Sequence, residues 1–253
     1  MVTPQLHAHD KASGTWRSFG CAEDLDVDFA TKDRPTLVTA LLASCGSPRE
    51  AEFWWSQSVG ARVGALLRLL ATTDSIDHLG LLAHCRQPTC AERFEFELPI
   101  AMLHEFVPNS ETVQILLNGG RPVSLRRPNG RDLHEWNSLR LKTRRAAIDA
   151  MLKSLVVEGQ ATPDDEPVLT EALSDLDPLV AFTVSCACPV CRSTNEVRVD
   201  LEEIVLARLR KKQHVLLHEI HRLASHYGWT EDEVLAIPPH RLAHYLAMIE
   251  DER

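Results

Sequence analysis

Two short cysteine clusters are the residues of this chain best suited to chemistry. The first spans Cys85 to Cys90 with four residues between the thiols, and the second includes Cys188 and Cys191 with two residues between them. Thiolates at such spacings, with a proline in each loop, suit a tetrahedral zinc ion. One pair fills only half of the four positions around the metal. The sequence therefore predicts that all four thiolates share one structural Zn²⁺ per chain.

The two clusters read as one unit used twice, because each is followed by an alternating strand and then by an apolar helical run. A shift of 101 positions places Cys85 on Cys186, which makes Cys186 an alternative zinc ligand; His84 is another. A site with four thiolates leaves no position open for water or substrate, so it would be structural. The alternative is that the clusters hold reduced cysteines in a ribbon that has lost its metal.

Composition places the chain among ordinary globular proteins, as one large domain or two small ones. It has 253 residues, of which 44% are hydrophobic and 25% are charged. Its net charge of -9 argues against a general nucleic-acid binder, because such proteins attract phosphates with Lys and Arg. A basic stretch with eight Lys and Arg at 121–145 keeps nucleic acid open as an alternative partner.

The sequence carries no signal for membranes or secretion. No apolar run reaches the roughly 18 to 20 residues that a bilayer span requires, and the N-terminus lacks a basic segment followed by an apolar one. These features predict a cytosolic protein with no membrane partner. In a reducing compartment, clustered thiols bind metals more often than they form disulfides.

Three histidines at helical spacing, His214, His218 and His221, invite comparison with zinc hydrolases. Those enzymes need His-Glu-x-x-His, and the sequence His-Glu-Ile-His at 218–221 is one residue short. A polar helix face is the better account, and a metal hydrolase built on these histidines is a third option. The chain also has no Gly-rich phosphate loop and no Gly-x-Ser-x-Gly elbow. We therefore predict a non-enzymatic protein with no catalytic residues and no small-molecule substrate.

The spacing of apolar residues predicts an α+β fold that is mainly α-helical, with two small zinc-ribbon-like β elements and a helical C-terminal module. We predict a flexible N-terminal arm at 1–33, a helical region with the first cysteine cluster at 34–160, and the second cluster with the helical module at 161–253. The predicted helices include 49–70, 76–83, 144–157, 168–179, 201–227 and 240–250, and the predicted strands include 94–98, 113–117 and 196–199. Gly119-Gly120 predicts a turn that makes residues 123–127 the hairpin partner of the strand at 113–117.

A series of motifs follows in a fixed order from Cys188 onward. They are Cys188-Pro-Val-Cys191, Glu196-Val-Arg-Val-Asp-Leu201, His218-Glu-Ile-His221, Tyr227-Gly-Trp229, a capping box at Thr230 to Glu233, and Arg241-Leu-Ala-His-Tyr245-Leu246. The series resembles the T4-like baseplate hub and assembly proteins of contractile-tailed phages and related contractile injection systems. The first cluster with its following strand also resembles longer members of that group, so the resemblance extends over about residues 50 to 250.

The resemblance implies a non-enzymatic assembly or structural role at the tail tip. The implied partners are baseplate hub or spike proteins, and the implied location is the cytoplasm during assembly or the tail particle itself. The alternative function is a zinc-ribbon binding module that acts on nucleic acid or the transcription machinery, which the basic stretch at 121–145 favours.

Overall fold

The computed structural model describes residues 16–104 and 110–251, and it has a mixed α/β fold that is mainly helical, as predicted. The helices are α1 (Ala22–Leu25), α2 (Arg34–Cys45), α3 (Ala51–Ser56), α4 (Val59–Asp74), α5 (Ile100–His104), α6 (Gly130–Ser138), α7 (Arg144–Leu155), α8 (Glu166–Leu176), α9 (Leu201–Tyr227), α10 (Glu231–Leu235) and α11 (Pro239–Asp251). The strands are β1 (His78–His84), β2 (Arg93–Pro99), β3 (Thr112–Leu117), β4 (Arg121–Arg126), β5 (Val156–Glu158), β6 (Thr183–Ala187) and β7 (Thr194–Arg198). None of the helices in these two ranges combines the length and the apolar character needed to cross a membrane.

The largest hydrophobic core is built mainly by α2, α4 and the first half of α9. Its centre contains wholly buried leucines, including Leu41, Leu66 and Leu70. From α9 come Val205 and Leu209, which face the core together because they lie four residues apart on one side of the helix. The core thus joins residues from both sides of position 160, where the sequence predicted a boundary between two regions.

Helix α9 has the 27 residues that the sequence predicted, and both of its ends are confirmed. Asp200 caps the first turn by accepting a hydrogen bond from the backbone N–H of Glu203 at 2.9 Å. At the other end, Gly228 adopts a left-handed conformation with φ of 72°, which glycine reaches without steric cost. The helix therefore runs without interruption from the main core to the C-terminal module.

Small antiparallel sheets accompany the helices in the described part of the chain. β1 pairs with β2, β6 pairs with β7, and β4 lies between β3 and β5. The predicted strand at 94–98 is confirmed within β2, but the predicted helix at 76–83 is wrong, because β1 occupies most of it. The buried residues there alternate as Leu79, Leu81 and Ala83, which is strand spacing, and β2 supplies the partner.

A second core lies between the three-stranded sheet and helices α7 and α8. Its fully buried members are Leu117, Val123, Leu125, Leu152 and Leu169. The predicted hairpin between β3 and β4 is confirmed, and its turn contains Gly119 and Gly120 at φ of 84° and 73°. Both glycines occupy the left-handed region that a tight hairpin turn requires.

The C-terminal module packs α10 and α11 against the second half of α9. Tyr227 stacks on Trp229 with ring centroids 4.5 Å apart, and Tyr245 of α11 meets Trp229 edge-on at 5.0 Å. The predicted capping box is present, since the side chains of Thr230 and Glu233 each accept from the other's backbone N–H. Aromatic packing and the capped turn together fix the angle at which α11 returns along α9.

The segment 16–33 packs onto the main core, in contrast to the flexible arm predicted for 1–33. Phe19 is buried in that core, and the Gln213 side chain of α9 donates to three backbone carbonyls of the segment at 2.8 to 3.1 Å. Residues 1–15 lie outside the described ranges. The prediction was wrong for 16–33 because polar contacts hold much of this segment in place. The spacing of apolar residues in the sequence does not reveal such contacts.

A buried carboxylate anchors the same segment. Asp24 has no exposed surface, and it pairs with Arg17 at 2.6 Å. Burial by itself raises the pKa of Asp24, but hydrogen bonds from the Arg17 guanidinium and from the backbone N–H groups of Gly20 and Cys21 outweigh it and lower the pKa to about 2. The carboxylate is therefore ionised at neutral pH and satisfied by its donors.

A second buried carboxylate lies at the start of α4. Asp177 is 2% exposed, and its Oδ2 accepts a hydrogen bond from the backbone N–H of Gly60 at 2.9 Å. Burial raises the pKa of this carboxyl, and the Gly60 N–H opposes the rise. A Cβ atom at position 60 would lie 1.7 Å from Asp177 Oδ1, so glycine is required for this contact.

We expect Gly60→Ala to destabilise the fold by roughly 2 to 3 kcal/mol, because the methyl group would push the Asp177 carboxylate away from α4. Gly64→Ala in the same helix is the control, since its Cβ would meet its nearest neighbour at 3.9 Å. The control should gain roughly 0.5 to 1 kcal/mol through helix propensity. Urea unfolding measures all three free energies, and equal stability of the two variants would contradict the role given to Gly60.

Candidate metal centre

The tips of the two cysteine-bearing hairpins meet and bring four thiols together. We call Cys85, Cys90, Cys188 and Cys191 the cysteine centre. Their four Sγ atoms all lie within 4.8 Å of one another. The Sγ atoms of Cys85 and Cys191 are 3.5 Å apart, and those of Cys90 and Cys188 are 3.8 Å apart, so both of these close contacts join one hairpin to the other. The structure thus assembles the four ligands that the sequence predicted, and they can hold a metal ion.

Both loops are closed by the same backbone contact. The N–H of Cys85 donates to the carbonyl of Glu92 at 2.8 Å, and the N–H of Cys188 donates to the carbonyl of Ser193 at 2.9 Å. In each loop the first cysteine therefore follows the outgoing strand directly and begins the turn. This shared turn directs the thiols of a loop to the same side.

A left-handed residue follows the second cysteine of each loop. Ala91 has φ of 49° and Arg192 has φ of 61°. Residues with side chains adopt this conformation at some cost, so the two positions mark equivalent points at which the chain reverses into the returning strand. The equivalence supports the prediction that the two clusters are one unit used twice.

The two loops nevertheless differ in length, which corrects the superposition made from sequence. Cys186 pairs with Asn195 in β6 and β7 as Ala83 pairs with Phe94 in β1 and β2. The counterpart of Cys186 is therefore Ala83, a strand residue, and the first cysteine of the second loop is Cys188. A single shift of 101 positions cannot superpose both strands, because the second loop is two residues shorter.

Neither alternative ligand joins the cysteine centre. Cys186 lies within β6, where its thiol contacts the carbonyl of Asn195 at 3.7 Å. His84 is exposed, whereas its neighbour Cys85 is buried, because successive strand residues point to opposite faces. Groups of His, Cys, Asp or Glu side chains close enough to share an ion are rare in the described part of the chain. The four cysteines form the one such group there.

Two polar residues that the sequence did not single out support the cysteine centre. Ser193 Oγ lies 3.0 Å from the thiol of Cys191 and 3.3 Å from that of Cys85. The buried Asn195 accepts from the N–H of Arg86 at 2.7 Å and donates to the carbonyl of Ser193 at 2.9 Å. Asn195 therefore ties one loop to the other. One feature of the sequence could have revealed Asn195. It is a polar residue in β7 at the position equivalent to Phe94 in β2.

The pKa values of two thiols in the cysteine centre shift in opposite directions. Hydrogen bonds from the hydroxyl and the backbone N–H of Ser193 lower the pKa of Cys191 to about 6. For Cys90, a backbone hydrogen bond from Glu92 lowers the pKa, but burial and the adjacent thiols outweigh it and raise the pKa to about 12. Sulfur atoms this close resist becoming thiolates together unless a cation supplies the opposite charge. A metal cation is one source of that charge, and the arrangement of the four thiols can hold one.

All seven cysteines have free thiols, so no disulfide competes for the four sulfur atoms. The sulfur separations of 3.5 and 3.8 Å are well beyond the roughly 2.05 Å of a covalent S–S bond. Cys21 and Cys45 lie elsewhere, where both thiols approach the Asp24 carboxylate. The thiols of the cysteine centre are therefore available as ligands.

The helix histidines form no comparable site. His214, His218 and His221 are all exposed on α9, and they line open grooves. Within residues 16–104 and 110–251, they do not belong to a group of three ligands close enough to share an ion. The polar helix face that the sequence predicted describes them well.

The basic stretch at 121–145 is largely neutralised by carboxylates, four of them from other parts of the chain and one, Asp132, within the stretch. Five of its eight cations form ion pairs: Arg121 with Asp165, Arg126 with Asp132, Arg131 with Glu52, Arg144 with Glu166, and Arg145 with Asp164. Paired cations attract phosphates less strongly, because the nearby acid reduces the local potential. The stretch is thus better described as a set of structural ion pairs than as a nucleic-acid surface.

Comparisons with protein-family models, with curated proteins and with solved structures find no match for this chain. The geometry of the molecule defines the site: four thiols from two hairpins, supported by a serine and a buried asparagine. The sequence resemblance to baseplate proteins stays a prediction.

We expect Ser193→Ala to weaken Zn²⁺ binding about 10-fold, because the hydroxyl that contacts two of the thiols would be lost. Ser185→Ala is the matched control, since Ser185 lies on the exposed face of β6 in the same hairpin. Competition with a chromogenic chelator measures both affinities. If the two variants bind Zn²⁺ equally well, Ser193 has no supporting role.

Proposed function

We propose that the cysteine centre holds one structural Zn²⁺. A tetrahedral zinc with ligands at about 2.3 Å requires sulfur atoms about 3.8 Å apart, and the two sulfur contacts between the hairpins are 3.5 and 3.8 Å long. Soft thiolate ligands favour zinc over hard ions such as magnesium or calcium. The two hairpins then correspond to the zinc-ribbon-like elements expected from the sequence.

The chemistry of such a site is structural, since four thiolates leave no position for water or substrate. The ion would supply positive charge that lets four adjacent thiols ionise together. The chain's own residues do the remaining work: Cys85 and Cys191, 106 positions apart, are held side by side at the tips of separate hairpins. The cysteine centre acts as a clamp between two distant parts of the chain.

On this basis, we propose that the protein is a non-enzymatic baseplate or hub assembly protein of a phage-like contractile tail or injection system. The closed four-thiol geometry is the observation that carries the non-enzymatic part of the proposal. The assignment to contractile tails rests on the ordered motifs from Cys188 to Leu246 and their resemblance to baseplate proteins. Its place of action would be the cytoplasm during assembly, or the tail particle.

The C-terminal motifs that carry the resemblance form one packed module, which supports treating them as a functional unit. Leu223 and Val234 are wholly buried there, and Ile220 and Ile249 are nearly so. Such a rigid module suits a protein that docks onto hub or spike components. The alternative of a nucleic-acid module gains nothing from the basic stretch, because most of its cations are paired.

Metal analysis tests the clamp. We expect about one zinc per purified chain, and we expect the double variant Cys188→Ser, Cys191→Ser to lose it, because two thiolates cannot complete the tetrahedron. The double variant Cys21→Ser, Cys186→Ser removes the same number of thiols outside the cysteine centre, and it should keep the metal. Zinc retained by the first variant, or lost from both, would refute the assignment of ligands.

Co-expression tests the assembly role. We expect the chain to form a complex with the hub or spike protein encoded beside its gene, detected as co-elution in size-exclusion chromatography. The variant Cys188→Ser, Cys191→Ser should form less of that complex, because its hairpins are no longer clamped. A gene neighbourhood without sheath, tube and spike genes, or hub and spike proteins that elute separately, would count against a contractile-tail function.

A further inference from the structure

A groove runs along the outer face of α9 and ends beneath α11. We call it the basic groove, and its defining residues are Arg210, Lys211, His214, His218, Arg222 and Leu246. It consists of two adjoining cavities of about 660 and 650 Å³ that share His218, Arg222 and Glu250. The groove thus has the dimensions of an extended binding surface.

This part of α9 carries a local excess of positive charge. Residues 208–226 contain five Lys and Arg and a single Glu, whereas the whole chain has a net charge of -9. Four histidines lie in the same range. A local excess of positive charge on an acidic protein steers negative partners toward that part of its surface.

The orientation of α9 explains why these cations reach solvent. The helix buries Val205, Leu209 and Gln213 against the rest of the chain, and Ile220 within the C-terminal module. Residues 210, 211, 214 and 218 lie at helical spacing on the remaining side, and all four are exposed. Residues 210 to 218 therefore present a row of positive and imidazole groups about two turns long.

The groove also has apolar and acidic parts, and these decide which partner fits. Val215 is 43% exposed, and Leu246 contributes a second apolar side chain. Glu219 and Glu250 lie in the lining, and Glu250 pairs with Arg222 at 3.1 Å. These two carboxylates interrupt the row of cations, so a phosphate backbone with a charge at every step fits the groove poorly. A segment in which acidic side chains alternate with apolar ones can place its carboxylates on the cations and its apolar groups on Val215 and Leu246.

We propose that the basic groove binds an acidic amphipathic helix of a protein partner. From Arg210 to Arg222 α9 covers about 18 Å at 1.5 Å per residue, so a partner helix of about 12 residues would occupy the groove. Its carboxylates would face Arg210 and Lys211, and its apolar side chains would cover Val215 and Leu246. This inference rests on the proposed assembly role, because it names the surface and the chemistry by which the partner is recognised.

A defined probe tests the inference on the full-length protein. The probe is a fluorescent 18-residue peptide with Glu and Leu at helical spacing, and the same peptide with Gln in place of Glu is its neutral counterpart. We expect the acidic peptide to bind at least about 10-fold more tightly than the neutral one, with binding weakened by added salt. Fluorescence anisotropy measures both Kd values.

Charge reversal locates the binding site. The double variant Arg210→Glu, Lys211→Glu should weaken binding of the acidic peptide by about 10-fold or more. The variant Arg140→Glu, Lys142→Glu makes the same change of charge at exposed residues between α6 and α7, and it should change Kd less than about 2-fold. Equal losses in both variants would show a general charge effect and overturn the proposal.

Competing ligands complete the test. Duplex DNA of 20 base pairs and vesicles containing an anionic lipid are measured against the same proteins. Tighter binding of either than of the acidic peptide, abolished by Arg210→Glu, Lys211→Glu, would replace the protein partner with that class and overturn the proposal. A hub or spike complex that forms while the peptide fails to bind would overturn the groove alone and leave the assembly role intact.

Discussion

The sulfur contacts between the two hairpin tips are the constraint on which the arrangement of the chain depends. A two-stranded hairpin is marginally stable alone in water, and this protein uses two of them. Each hairpin is held near its base by residues in the main core, such as Leu79 and Leu98 in the first and Phe182 and Val199 in the second. The tips project beyond that core, and they are held there by the cysteine centre and by Asn195. The main core at one end and the four clustered thiols at the other thus connect the two hairpins to each other and to the helical body.

Buried charges perform the corresponding task inside the helical body. Arg62 is 1% exposed, and its guanidinium donates to the hydroxyl of Thr39 and to the carbonyls of Trp54 and Pro35 at 2.8 to 2.9 Å. Burial lowers its pKa to about 10, which still leaves it charged at neutral pH. One side chain thus joins α2, α3 and α4 by donating hydrogen bonds to three acceptors from α2 and α3. Removal of such a charge leaves its acceptors unsatisfied, so these contacts specify the fold more than they add to its stability.

The sequence foretold the elements whose signals are local. The limits of α9, the capping box at Thr230 and the hairpin around Gly119 all depend on residues adjacent in the chain, and they were predicted correctly. The clustering of Cys85, Cys90, Cys188 and Cys191 was also predicted correctly, because the thiol spacing within each loop is a short-range signal. β1 was mistaken for a helix, since a short apolar run has no decisive periodicity without knowledge of its partner strand. The ion pairs of the basic stretch could not be predicted from the sequence for a related reason. Several of the partners, such as Glu52 for Arg131, lie far away in the chain.

The separation of the two cysteine loops in the sequence has a consequence during synthesis of the protein on the ribosome. Cys90 is made 98 residues before its neighbour Cys188. At roughly 5 to 20 residues per second, the first pair of thiols waits for about 5 to 20 seconds before the second pair is synthesised. During that interval the nascent chain offers two of the four thiols, and the helices preceding the first loop have time to fold. The cysteine centre can therefore form only after Cys191, the last of its four residues, has been synthesised.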